Sequence, residues 1–268
     1  MKIKFWGVRG SVPWATPAAI GHGCNTPCIE VSDERTGSTL VLDAGSGIVG
    51  LGAALGGEPR ELPILLTHYH WDHIQGLPFL AQIYQPGWTP RIFAPMFESH
   101  DPAWVETIFR APFFPVPVEH LPNRPRVDVI GPGATRIGGF DVTALELNHP
   151  GGALAYRVRG LTGDLVYATD HEFGDPSRDE PLADFARGAS AMILDAHFTP
   201  EEIGAHTGWG HSDWRTCAEF AAKHDIGGLW LFHHKPGRTD EELVSIAYDA
   251  RRIFPATEAA GEREALRL

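Results

Sequence analysis

The stretch from His68 to Gly76, HYHWDHIQG, constrains this chain more than any other. It follows ELPILLT, an apolar run that reads as a buried β-strand, and it leads into a helical pattern that begins near Trp71. Side chains two apart on an extended chain point the same way, so His68 and His70 can grip one cation together. Asp72 and His73 fall where the backbone turns into the helix, so they diverge from that pair and offer an oxygen and a nitrogen to a second cation. Imidazole and carboxylate suit zinc, iron or manganese, and the lack of a cysteine here argues against a closed structural zinc site. A hydrated polar loop would explain a lone histidine; this cluster directly after a buried strand reads as a catalytic metal centre.

Other strand ends supply the remaining parts. His149 follows the apparent strand FDVTALEL and can complete a set of three imidazoles with His68 and His70. Asp170 ends DLVYATD, and a carboxylate has two oxygens with which to bridge neighbouring cations. After GGLWLF the adjacent His233 and His234 would face opposite ways on a strand, and either can join Asp72 and His73. Asp43 closes STLVLD, where it can brace a metal-binding histidine or accept turn amides. His211 in GWGHSD opens a helical pattern with Ser212 as its cap, a place suited to an anion. His197 and His206 read as parts of the scaffold. Cys24, Cys28 and Cys217 fit free thiols in a reducing compartment, with an accessory zinc on His22, Cys24 and Cys28 as the lesser alternative.

The chain has 268 residues, 43% of them hydrophobic, enough for one large domain with a full core. Strands cluster in both halves and helical patterns accompany each, which predicts two sheets packed face to face with helices outside, an α/β (α+β) protein with a four-layer αβ/βα sandwich. IQGLPFLAQIY reads as a helix, as does DPAWVETIFR with Asp101 as its cap. Residues 97–125 are dense in proline and aromatics and read as a lid-like insertion; Tyr84, Trp104, Phe113 and Phe114 can stack on a heterocycle, or simply pack on the core. The charged tail ATEAAGEREALRL reads as loosely attached. No stretch has the length and apolarity of a membrane span, so a soluble, cytoplasmic protein without a membrane partner is expected. The net charge of −12 speaks against a long nucleic acid as partner, although bound cations leave room for a small phosphorylated substrate.

The pattern HxHxDH of His68, His70, Asp72 and His73 resembles the signature of the metallo-β-lactamase fold hydrolases, and THYHWDHIQGL is similar to their phosphodiesterase-like branch, which includes tRNA 3′-end nucleases and cyclic phosphodiesterases. The likeness runs from KIKFWGVRGSVP to FHHKPGRTD. It implies the metallo-β-lactamase fold and two divalent metal ions, zinc ahead of manganese or iron. The implied metal ligands are His68, His70, Asp72, His73, His149, Asp170 and His233, the last favoured over His234 by the Leu-x-His after the family's last core strand. GWGHSD resembles the His-Ser motif of the branch. That resemblance implies that His211 and Ser212 bind the scissile phosphate, with His211 and Asp72 catalytic and His211 protonating the leaving oxygen. The implied reaction is attack on phosphorus by a hydroxide shared between the two cations, giving a phosphomonoester and an alcohol.

Departures from other branches narrow the substrate. Flavodiiron-type sites carry a glutamate where this chain has His70, and antibiotic-destroying enzymes carry a cysteine where it has Asp170. The tRNA nucleases insert a long arm between the segments of His149 and Asp170; here that interval reads as a simple strand pair. The leading expectation is therefore a small phosphodiester such as a cyclic nucleotide, a cyclic ribose phosphate or a short nucleotide. An RNA- or DNA-end nuclease, a thioester or lactone hydrolase, and a metal-bound sensor with little turnover are the alternatives. Relatives of this kind pair, which admits a homodimer.

Overall fold

A computed structural model describes residues 1–56, 58–97 and 102–268. Strands Lys2–Gly7 (β1), Cys28–Asp33 (β2), Ser38–Leu42 (β3), Glu61–Leu65 (β4), Thr89–Pro95 (β5) and Arg126–Ile130 (β6) lie side by side in that order. The chain then crosses to a second sheet, formed by Gly133–Ile137 (β7), Phe140–Leu147 (β8), Ala153–Arg159 (β9), Asp164–Ala168 (β10), Ala191–Asp195 (β11), Leu229–Phe232 (β12) and Thr257–Ala259 (β13). A last strand, Ala265–Arg267 (β14), returns to pair antiparallel with β1.

Side-chain alternation decides what packs where. In β1 every second residue is buried, so Ile3 and Phe5 face the opposite sheet while Lys2 and Lys4 stay at the surface. Ile3, Phe5, Val31, Leu40 and Leu42 meet Phe140, Tyr156, Val158, Tyr167 and Ile193 in the layer between the sheets. The inner strand β11, AMILD, is buried throughout, as a parallel strand covered on both faces has to be. Its outer face carries Met192 and Leu194 against Leu182 of helix Pro176–Ala186 and Cys217 and Ala221 of helix Trp214–Lys223. A third cluster covers the first sheet with Ile48 and Leu51 of helix Gly47–Ala54 and with Val105, Ile108, Phe109, Val118 and Leu121. Each such buried side chain contributes about 1.5–3 kcal/mol. The expected αβ/βα sandwich is the observed architecture. No described helix is long and apolar enough to cross a membrane.

Several local expectations need correction. IQGLPFLAQIY is not one helix: a four-residue helix, Trp71–Ile74, gives way to 3-10 turns at Leu77–Phe79 and Ala81–Ile83. Gly76 is the reason the chain bends there, because a Cβ would come 2.1 Å from the Gly45 carbonyl oxygen, and Pro78 cannot continue a helical ladder. Pro102–Phe109 is likewise 3-10 rather than α-helical, and its expected cap Asp101, like the Trp104 side chain, lies outside the described residues. Ser212 does not cap the next helix. Asp213 does, accepting from the amides of Arg215 and Thr216, which leaves His211 ahead of the helix rather than at its start. The tail is anchored by β13, by β14 and by an Arg267–Glu34 pair at 2.7 Å. In the 97–125 segment Phe114 packs on Phe109 and Phe79, with ring centroids 6.0 and 5.7 Å away, and outside it Tyr84 donates to the Pro78 carbonyl, while Phe113 stays exposed.

Candidate metal centre

Strands β3 and β4 are parallel to one another, as are β10, β11 and β12, and their C-terminal ends converge at one end of the sandwich. Asp43, His68, Asp170, Asp195 and His233 sit at or just beyond those ends. Asp43, Asp170 and His233 adopt left-handed backbone conformations, φ 60°, 57° and 59°, which turn each side chain off the line of its strand and into the gap between the sheets.

The expected ligands come together in two groups. One ligand atom each from His68, His70, His149 and Asp170 falls within a 4.8 Å span, and so does one each from Asp72, His73 and His233. Asp170 links the two groups. Its Oδ1 lies 3.8 Å from His68 Nε2 and 4.0 Å from His149 Nε2, while its Oδ2 lies 3.2 Å from His73 Nε2 and 3.5 Å from His233 Nε2. His234 points elsewhere and donates from Nε2 to the Ala260 carbonyl, so of the two neighbours it is His233 that faces the cluster.

The inward imidazoles of His68, His73 and His149 are each oriented by a bond at the far nitrogen, whereas His233 Nδ1 is buried without a hydrogen-bond partner. Thr67 donates its hydroxyl to Asp43, so that oxygen accepts from His68 Nδ1 at 3.0 Å. His73 Nδ1 donates to Asp43 Oδ2 at 2.8 Å, and His149 Nδ1 to the Gly210 carbonyl at 2.9 Å. Asp43 is therefore a hub: it also accepts from the Thr67 amide and, at 2.7 Å, from the Tyr167 hydroxyl. Both roles expected for it are filled at once. Glycines admit these rings. A Cβ on Gly210 would lie 2.1 Å from His149 Nδ1, and one on Gly10 would lie 2.4 Å from the His233 ring.

The inward atoms fit cations better than they fit one another. His68 Nε2 is buried without a hydrogen-bond partner. His149 Nε2 faces His70 Nδ1 at 3.1 Å, and His73 Nε2 faces His233 Nε2 at 3.4 Å, separations natural to nitrogens that share an ion. Burial, with repulsion from neighbouring histidines, holds His68 below its ordinary value and His70 down at about 4. Burial also lowers His149. These rings are neutral, as ligands must be. Against the pull of burial, the neighbouring histidines keep Asp72 and Asp170 ionised. Asp170, Asp72 and Asp43 raise His73 against the pull of burial, so a cation bound there would take the place of its proton; imidazoles and ionised carboxylates in two linked groups fit two divalent ions.

His211 stands beside this cluster. Its Nδ1 lies 2.7 Å from Asp195 Oδ2 and 3.7 Å from Asp170 Oδ1. Burial would lower its pKa, but Asp195, through charge and hydrogen bond, and then Asp170 and Asp72 raise it to about 9. The Ser212 hydroxyl donates to the His171 carbonyl and so ties down the loop. Glu172 accepts from the amides of Gly208 and Gly210. A cavity of about 440 Å³ lined by Glu172, Phe173, Ile203, Thr207 and His211 adjoins it.

Sequence reasoning missed four contributors. Asp195 ends the apolar run AMILD much as Asp43 ends STLVL, a signal that was available. His197 is no remote scaffold residue, because its ring stacks on that of His211 at 4.6 Å. The Ser11 amide donates to Asp72 Oδ2 at 2.6 Å, and Tyr167 supports Asp43 from the opposite sheet; neither leaves a mark in local sequence. His206 is structural as expected, stacked on Phe198. Cys24, Cys28 and Cys217 are free thiols, and no group of three metal-ligating side chains includes Cys24 or Cys28 among the described residues.

The β-lactamase superfamily domain matches residues 39–234 of the chain. The chain is 27% identical over 314 aligned positions to ribonuclease Z of Bradyrhizobium sp. (strain ORS 278), with 99% of each chain covered. The metallo-β-lactamase fold protein YhfI of Bacillus subtilis superposes with a TM-score of 0.73 at 20% identity, covering 99% of this chain and 98% of that one. The short form of human tRNase Z superposes with a TM-score of 0.67 at 17% identity, covering 100% and 99%. With a match across most of the sequence and the architecture shared end to end, the chain belongs to the β-lactamase superfamily and is a metal-dependent hydrolase of the metallo-β-lactamase fold.

Proposed function

We propose that this hydrolase is a binuclear-metal phosphodiesterase acting on a small phosphodiester, a cyclic nucleotide, a cyclic ribose phosphate or a short nucleotide. The observation that carries the reading is Asp170, whose two oxygens face two separate sets of imidazoles. In this reading His68, His70, His149 and Asp170 hold one cation, and Asp170, Asp72, His73 and His233 hold the other. Two zinc ions bound there, or manganese or iron in their place, supply Lewis acidity and a water nucleophile ionised near neutral pH.

The chain's own groups do the rest. Asp72, fixed by the Ser11 amide, accepts a proton as the nucleophile forms its bond to phosphorus. His211, protonated because of Asp195, binds a phosphoryl oxygen and gives its proton to the leaving alkoxide as the P–O bond breaks. The products are a phosphomonoester and an alcohol. The cavity beside His211, about 440 Å³, matches a small ligand, and the net charge of −12 disfavours a long polyanion. Similarity to ribonuclease Z supports a second reading, hydrolysis at an RNA end.

Metal analysis of the purified protein, coupled to a panel of bis(p-nitrophenyl) phosphate, cyclic nucleotides, a tRNA precursor, a thioester and a lactone, tests the proposal. Two metals per chain and turnover of the small phosphodiesters are expected. Turnover of the thioester or lactone alone would remove the phosphodiesterase reading, and preference for the tRNA precursor would select the second one.

A further inference from the structure

Arg9 has no part in that mechanism, yet it is the bulkiest kind of charged side chain and has no exposed surface. Its guanidinium spreads three ways. Nε donates to the Gly23 carbonyl at 2.8 Å, one terminal nitrogen to the Arg238 carbonyl at 2.6 Å, and the other to the Ala19 carbonyl at 3.0 Å. Asp240 stands 3.9 Å away, beyond hydrogen-bond range, and itself gathers the amides of Gly21 and His22. A charge taken out of water and met by neutral carbonyls stabilises little on balance, so its effect lies in what it fixes. A planar fork of five N–H groups can serve three separate carbonyls, which the single point of a lysine ammonium cannot.

Residues 8–11 lie between two ligands that come from different sheets. On one side the His234 amide donates to the Val8 carbonyl and the Gly10 amide to the His234 carbonyl, both at 3.0 Å, and a Cβ on Gly10 would lie 2.4 Å from the His233 ring. On the other side the Ser11 amide donates to Asp72 Oδ2 at 2.6 Å, and that same oxygen lies 3.0 Å from His233 Nε2. Ser11 makes this bond in the left-handed region, φ 64°, which a residue other than glycine holds only where its surroundings impose it. The other group of ligands is set independently: His68 and His149 take their outer bonds from Thr67 and Gly210.

We propose that Arg9 is a positioning residue for one cation alone, that of Asp72, His73 and His233. It ties the chain at 19–23 and at Arg238 to residues 8–11, and so holds the Ser11 amide on Asp72 and Gly10 against His233. The inference rests on the two-ion reading above.

Zinc titration of the metal-stripped protein against a competing chelator gives two stepwise affinities, and anomalous density at the zinc edge in crystals assigns each to its site. In Arg9→Lys, which keeps the charge, and in Arg9→Gln, which drops it, the site of Asp72, His73 and His233 should bind zinc roughly ten- to a hundredfold more weakly, the scale on which outer partners tune a metal site, with the other affinity unchanged. A purely electrostatic role has the opposite sign, since loss of a positive charge in Arg9→Gln would tighten the ion. Asp240→Ala loosens the same clamp from its part-exposed side, should weaken the same site by less, and decides alone if the Arg9 variants do not fold. Both affinities falling together, neither falling, or tighter binding in Arg9→Gln overturns the inference while leaving the two-ion reading in place. A wild-type protein that takes up fewer than two zinc ions sinks that reading and the inference with it.

Discussion

Replacing Asp195 by asparagine removes a charge and leaves one accepting oxygen where two served His211 Nδ1 and the His197 amide; with that oxygen toward His211 the orienting contact is kept while its electrostatic part is lost, at the expense of the His197 amide contact. Burial alone pushes His211 down; Asp195 leads the groups that bring it to about 9 against an ordinary 6.5. Bound cations would neutralise the fields of Asp170 and Asp72, which leaves Asp195 as the charge that keeps His211 protonated. The group must carry its proton to act as the acid, so activity should be present below its pKa and lost as pH rises through it. On the alkaline side of the profile each pKa unit by which the substitution lowers His211 costs up to about tenfold in the protonated fraction, and so in activity. The assay is the pH profile of kcat for a cyclic nucleotide, whose leaving group needs the proton, beside that for bis(p-nitrophenyl) phosphate, whose leaving group does not. Asp195→Asn should move the alkaline limb of the first profile toward neutrality and leave the second nearly unchanged. Identical alkaline limbs in both proteins, or an equal fall with both substrates, would refute the reasoning.

Gly210→Ala should lower metal content by about half and depress activity with it, since the new methyl group would occupy space 2.1 Å from His149 Nδ1; full metal occupancy in the variant would show that the loop yields instead. Tyr167→Phe removes one donor from the buried Asp43 hub and should cost about 1–3 kcal/mol in denaturant unfolding with the fold intact. Chelation should lower Tm and added zinc restore it, because ions bound by the folded state alone stabilise it in proportion to the logarithm of their free concentration. A Tm indifferent to both would remove the cations from the structure.

How much of this was readable in advance depends on whether the physics was local. The turn after β4 announces itself because strand period and ligand chemistry coincide in HYHWDH, and the two sheets follow from clustered apolar runs. His149, Asp170 and His233 could be found because each caps an apolar strand. Contacts made only in three dimensions were invisible: nothing near Ser11 signals that its amide reaches Asp72, and nothing near Tyr167 signals Asp43. Gly76 misled the helix reading, since its value lies in the contact with Gly45 rather than in local propensity. Charge misled the reading of the tail. GEREALRL is polar, yet Leu266 packs on the core and the arginine finds Glu34 across the sheet edge.

Asp170 and His233 hold backbone angles, φ 57° and 59°, in which glycine would rest more comfortably. Each costs on the order of 1 kcal/mol relative to glycine. A library of variants screened for heat resistance in the presence of a chelator, where the ions contribute nothing, would therefore drift toward glycine at both positions. It would return tougher proteins that no longer react, so durability and turnover pull the same two codons in opposite directions.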